Sequence, residues 1–74
     1  MTIKSRLAVI LAEKEMKLIE LEQRTGISLN NLSILKTGKA KAVRFSTLNE
    51  VCKALNCQPG DILQFIPDEE EERA

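Results

Sequence analysis

Between Glu22 and Glu50 the chain carries no acidic residue, and the 27 residues of that gap include Arg24, Lys36, Lys39, Lys41 and Arg44. Cations gathered without carboxylates among them are free to meet a regularly spaced anion, which is what a nucleic-acid backbone presents. The formal net charge of zero conceals this arrangement. Residues 1–60 hold ten Lys and Arg against five Glu, whereas residues 61–74 hold six acids against the single Arg73. The chain is electrically polarised, and the chemistry its charges favour is phosphate contact.

Other chemistries find little material. There is no His, Tyr or Trp, and the aromatics are Phe45 and Phe65 alone, so the usual general base and the stacking platforms for single-stranded bases are missing. Ser and Thr have no identifiable base, and neither a Gly-rich phosphate loop nor a metal-ligand cluster exists. An enzyme, a cofactor, a metal site and a small-molecule ligand are therefore not expected. Cys52 and Cys57 lack a His or a paired CxxC, and they read as small core hydrophobes poorly spaced for a disulfide. The longest apolar run, Leu7 to Ala12, is six residues, far below the ~20 that span a bilayer. A cytoplasmic location is expected.

The elements that must position the basic stretch read as five helices in one all-α domain, residues 1–67. Ile3, Leu7, Ile10 and Leu11 fall at helical spacing, with Thr2 as the expected N-cap of helix 1. Helix 2 is expected from Met16 to Arg24, inward at Leu18 and Leu21 and closed by Gly26. Ser28 then caps a third helix through Asn30 or Asn31, with Ile27, Leu32 and Leu35 inward and Gly38 at its end. The loop from Lys39 to Arg44 leads to Ser46, the expected cap of helix 4, whose inward stripe is Leu48, Val51, Cys52 and Leu55. Pro59 opens a short helix 5 holding Ile62, Leu63 and Phe65, stopped by Pro67. Asp68 to Ala74 carries five acids and one Arg, which predicts a disordered acidic tail.

At Leu21-x4-Gly26-Ile27-Ser28-x3-Leu32-x2-Leu35-x2-Gly38 the sequence resembles the Cro/C1-type (XRE-like) helix-turn-helix family. The later Leu48-x3-Cys52-Lys53-Ala54-Leu55-Asn56-Cys57-Gln58-Pro59-Gly60-Asp61-Ile62 resembles the last two helices of a small, stand-alone subgroup. The resemblance covers about residues 3 to 66. It implies a compact five-helix, lambda-repressor-like DNA-binding domain that controls transcription by sequence-specific binding to double-stranded DNA, usually as a homodimer.

Carried across, the resemblance places helix 3 in the major groove, with Ser28, Leu29 and Asn30 toward base edges and Ser33 at the groove wall. Asn30 is the best reader, because a carboxamide pairs bidentately with adenine. Lys17, Lys39, Lys41 and Arg44 would contact phosphates. Ile62, Leu63, Phe65 and Ile66 would form the dimer interface. Two departures stand against this pattern. Leu29 and Ile34 are apolar where many members are polar, which also suits a protein-interaction module, antitoxin-like or anti-repressor, on the same fold. Glu22 replaces the family's usual Ala; its carboxylate is expected to swing outward and to weaken phosphate affinity.

Overall fold

A computed structural model describes residues 2–67, so the expected acidic tail, residues 68–74, lies outside the described residues. The order is β1 (Thr2–Ser5), α1 (Leu7–Glu13), α2 (Leu18–Thr25), α3 (Leu29–Thr37), α4 (Phe45–Leu55), α5 (Pro59–Ile62) and β2 (Leu63–Ile66). Five helices form, but the all-α expectation is corrected: β1 and β2 pair as a two-stranded antiparallel sheet.

The core is a set of aliphatic side chains, one or more from each helix. Leu7, Leu21, Leu32, Val51 and Ile62 are fully buried, and Leu55 is nearly so. Each such side chain removed from water contributes roughly 1.5–3 kcal/mol before the entropy of ordering the chain is charged against it. No polar or charged residue is buried among the described residues. Helix α2 packs on both α3 and α4, which fixes the α2–α3 unit on the domain.

Helix ends follow backbone chemistry legible in the residues. Gly26 and Gly38 close α2 and α3 at φ 74° and 78°, and Asn56 closes α4 at φ 52°. Space is open around Gly26 and Gly38, so their requirement is the left-handed backbone, where a Cβ costs about 1–2 kcal/mol. Glu15 closes α1 in the same conformation, at φ 52°, without being Gly or Asn. Its N–H bonds to the Ala12 carbonyl at 3.2 Å and that of Met16 to Leu11 at 2.9 Å, the paired bonds of a Schellman ending.

Both ends of the expected helical pattern differ. Thr2 and Ile3 are not the start of helix 1 but the start of β1, and Ile3 lies opposite Phe65 in the ladder, with Thr2 opposite Ile66. The Ile3–Leu7 spacing fits a helix turn by coincidence; in the strand Ile3 is exposed and Leu7 opens α1 after Arg6. Helix 5 is a single turn ending at Ile62, and Leu63 to Ile66 continue as strand. The Arg6 N–H donates to the Ile62 carbonyl at 2.6 Å, joining the sheet's inner end to the core.

Those two corrections redistribute the four expected dimer-interface residues. Ile62 is fully buried in the chain's own core and has no surface to offer a second copy. Leu63 and Phe65 share one face of β2, and strand alternation turns Ile66 to the opposite face.

Candidate nucleic-acid interface

Helices α2 and α3 are joined through only Gly26, Ile27 and Ser28, and three side chains hold the turn. The Thr25 hydroxyl donates to the Leu21 carbonyl at 2.7 Å and accepts from the Ile27 N–H at 3.2 Å. Ser28 Oγ accepts from the Asn31 N–H at 3.2 Å, so Asn31, rather than Asn30, receives the expected cap. Glu22 Oε2 accepts from the Leu29 N–H at 2.8 Å. The expectation that Glu22 swings outward is thereby corrected. Its carboxylate satisfies the first free N–H of α3, where the helix dipole favours negative charge.

With Leu32 and Leu35 buried, the outer arc of α3 is set by the helical repeat. Asn30, Ile34 and Thr37 are exposed on that arc, with Ser33 half-buried between them. Ser28 and Leu29 are exposed at the leading end, Leu29 to 40%. A four-residue set of the type expected for base contact is therefore presented by α3, together with Ile34, whose 38% exposure leaves an apolar patch on the same helix.

Beside the second half of α3 lies an open groove of about 430 Å³, bounded by Asn31 and Ile34 on the helix and by Lys39, Lys41 and Arg44 on the connection to α4. No carboxylate is among its walls. Three of the four expected phosphate-contacting residues are thus brought together. Lys17 is not: it sits exposed at the start of α2, its backbone N–H held by Glu20 Oε1 at 3.3 Å. Sequence reasoning did not single out Asn31 as a wall of this groove; its position one residue after Asn30 was the available signal, but adjacency to the basic connection depends on tertiary packing.

Arg44, not Ser46, precedes α4, which begins at Phe45 with no side-chain cap and no acidic residue in its first turn. By contrast, Glu20 and Asp61 stand in the first turns of α2 and α5. The basic groove therefore ends at a helix start whose N–H groups meet no carboxylate from that turn. Phe45 projects there, 84% exposed.

Cys52 lies within α4 and Cys57 just past its C-terminal cap, Asn56. Both are free and half-buried, packed against the core, as small hydrophobes. Burial pushes the Cys57 thiol above its ordinary pKa, and the neighbouring Cys52 adds to the shift. Among the described residues no group of three or more His, Cys, Asp and Glu is placed to hold a metal ion, and no helix is long and apolar enough to cross a membrane.

A helix, a glycine-closed turn, a capped second helix and a carboxylate-free basic groove define a helix-turn-helix unit of the DNA-binding kind. The chain belongs to the Cro/C1-type HTH DNA-binding domain family, which it matches over residues 6–68. It is similar to YozG, described as an uncharacterized HTH-type transcriptional regulator, of Bacillus subtilis strain 168. The two are 60% identical over 62 residues, which span 84% of this chain and 74% of the relative. No solved structure matches it.

Proposed function

We propose that this protein is a sequence-specific double-stranded DNA-binding transcriptional regulator, acting in the cytoplasm as a homodimer through the domain of residues 1–67. The observation that carries the reading is the juxtaposition of the exposed arc of α3 with a basic groove that has no acid in its walls. In the complex α3 enters the major groove. Asn30 pairs with an adenine edge, Leu29 touches a thymine methyl, and Ser28 and Ser33 flank them.

Lys39, Lys41 and Arg44 neutralise phosphates along one strand, and the start of α4 adds backbone N–H donors there. Lys17, apart from that groove, meets a separate phosphate. These contacts supply affinity and register but no sequence preference. Glu22 tempers the leading end of α3, because its carboxylate already occupies the Leu29 N–H that a phosphate would otherwise seek.

Binding-site selection from random duplexes, followed by affinity measured across a salt series, tests this reading. A recovered motif and a steep negative salt slope are expected. The second reading, a protein-interaction module, draws on the 40% and 38% exposure of Leu29 and Ile34. Affinity for duplex that is absent even at low salt would leave that reading in its place.

A further inference from the structure

Five positions apart on one continuous helix, two side chains point about 140° away from each other, which is why the Cys52–Cys57 spacing reads as poor for a disulfide. The structure changes that relationship at one residue. Asn56 takes the left-handed conformation at φ 52° and turns the chain back, so that Cys57 returns beside the helix it has just left. Its N–H donates to the Cys52 carbonyl at 3.1 Å, the wider of the two bonds of a Schellman ending. Cys52 and Cys57 thus occupy the two positions whose side chains ordinarily make the apolar contact across such an ending.

Both thiols are free, and both side chains turn the same way, because both pack against the core. One backbone bond between two residues holds their Cα atoms within the roughly 4.4–6.8 Å that a disulfide spans. Burial raises the Cys57 pKa, and the Cys52 thiol raises it further through charge and hydrogen bonding, so the two sulfur atoms are within reach of each other. Asp61 adds to the shift and Lys14 opposes it. Of the two cysteines, Cys57 lines an open crevice of about 240 Å³, with Arg6, Glu13, Lys14 and Asp61 around it. That crevice shares no wall residue with the basic groove beside α3.

We propose that Cys52 and Cys57 form a thiol–disulfide exchange site, oxidised to an intramolecular disulfide by a small soluble disulfide that enters the crevice at Cys57. The Cys57 thiolate attacks one sulfur of the reagent, forms a mixed disulfide and releases the other half as a thiolate. Cys52 then loses its proton and attacks the Cys57 sulfur, expelling the second half. Two electrons leave the protein, and the reagent departs as two thiols carrying the two cysteine protons. An excess of the same thiol runs the steps backwards, and in a reducing compartment such a bond is transient. The bond closes a ring of six residues around Asn56 and fastens α4 to the segment that enters α5. The raised Cys57 pKa makes the first step slow near neutral pH and faster as pH rises, because the thiolate is the nucleophile.

Incubation of the full chain in mixtures of reduced and oxidised glutathione, followed by acid quench, alkylation and intact-mass measurement, tests the site. The expected product is a monomer about 2 Da lighter than the reduced chain, with neither thiol alkylated. Cys52→Ser should stop at the mixed disulfide on Cys57. Cys57→Ser should react about tenfold more slowly or worse, since Cys52 does not line the crevice.

The same titration in denaturing urea reads the turn itself. The ratio of intramolecular to mixed disulfide should fall about tenfold or more once Asn56 no longer returns Cys57 to Cys52. This comparison uses the natural chain, so it holds even if a serine variant fails to fold. Mixed disulfides alone on the folded natural chain, disulfide-linked dimers in place of the lighter monomer, or an equal ratio in urea overturns the proposal. No readout uses DNA, so a failure to bind duplex would count against the proposed function and not against this site.

Discussion

Glu22 and Leu29 are tied together across the turn: the Glu22 carboxylate accepts the Leu29 N–H at 2.8 Å. One side chain of α2 therefore fixes the starting direction of α3 and also places a negative charge at the first turn of that helix, the end that leads toward DNA in the proposed complex. Stabilisation of the turn and attraction of phosphate are set against each other at this residue.

Glu22→Ala should lower stability by about 0.5–2 kcal/mol, the range for loss of a helix-capping acceptor, while raising affinity for duplex of any sequence at low salt. Glu22→Gln keeps an oxygen acceptor without the charge. It should lose less stability than Glu22→Ala and gain comparable DNA affinity. Urea unfolding and fluorescence anisotropy measure the two effects; parallel losses in both would show that the carboxylate has no electrostatic influence on DNA.

Lys39→Ala and Lys41→Ala should weaken binding alike on selected and random duplexes. Each should also flatten the logarithmic salt slope by about 0.9, the contribution of one neutralised phosphate. The comparison requires affinities at several ionic strengths, because a single salt concentration confounds the slope with the intercept.

Asn30→Ala should behave differently. On the selected site it should cost about 1–3 kcal/mol and relax the preference at one base position, leaving random duplex nearly unaffected. Equal losses on both kinds of DNA would assign the reading to another residue, and the adjacent Asn31 on the groove wall is then the first to substitute.

Glu15 holds a left-handed backbone at φ 52° where α1 ends, a conformation that glycine enters without a Cβ clash. Glu15→Gly should therefore stabilise the fold by about 0.5–1 kcal/mol, the strain relieved exceeding the entropy glycine adds to the unfolded chain. Thermal or urea unfolding of the variant checks the sign.

The middle of the chain was legible because its signals are local. Gly26, Ser28 and Gly38 mark ends with residues whose own backbone or hydroxyl chemistry makes the ending, and Leu21, Leu32 and Leu35 repeat at the helical period between them. The two outer segments were misread for a reason of length. Four residues such as Thr2–Ser5 fit either period, and their strand identity depends on a partner more than 55 positions away. Glu22 was misjudged similarly: its acceptor role needs the turn to bring Leu29 back over α2, which charge type alone does not state. Of the expected site, the gathering of Lys39, Lys41 and Arg44 followed from sequence proximity, whereas the separation of Lys17 and the burial of Ile62 depend on how the helices stack.

The ladder that places Thr2 opposite Ile66 makes the described chain nearly a closed ring. Closing so long a loop costs entropy that helix-to-helix contacts between neighbours in sequence avoid, so the sheet should be the last part to assemble and the first to open. The same adjacency gives a route to circular permutation. Joining positions 2 and 66 through a short flexible linker and opening the chain elsewhere would convert this latest-forming contact into a local one, and the refolding rate of such a permutant should exceed that of the natural order.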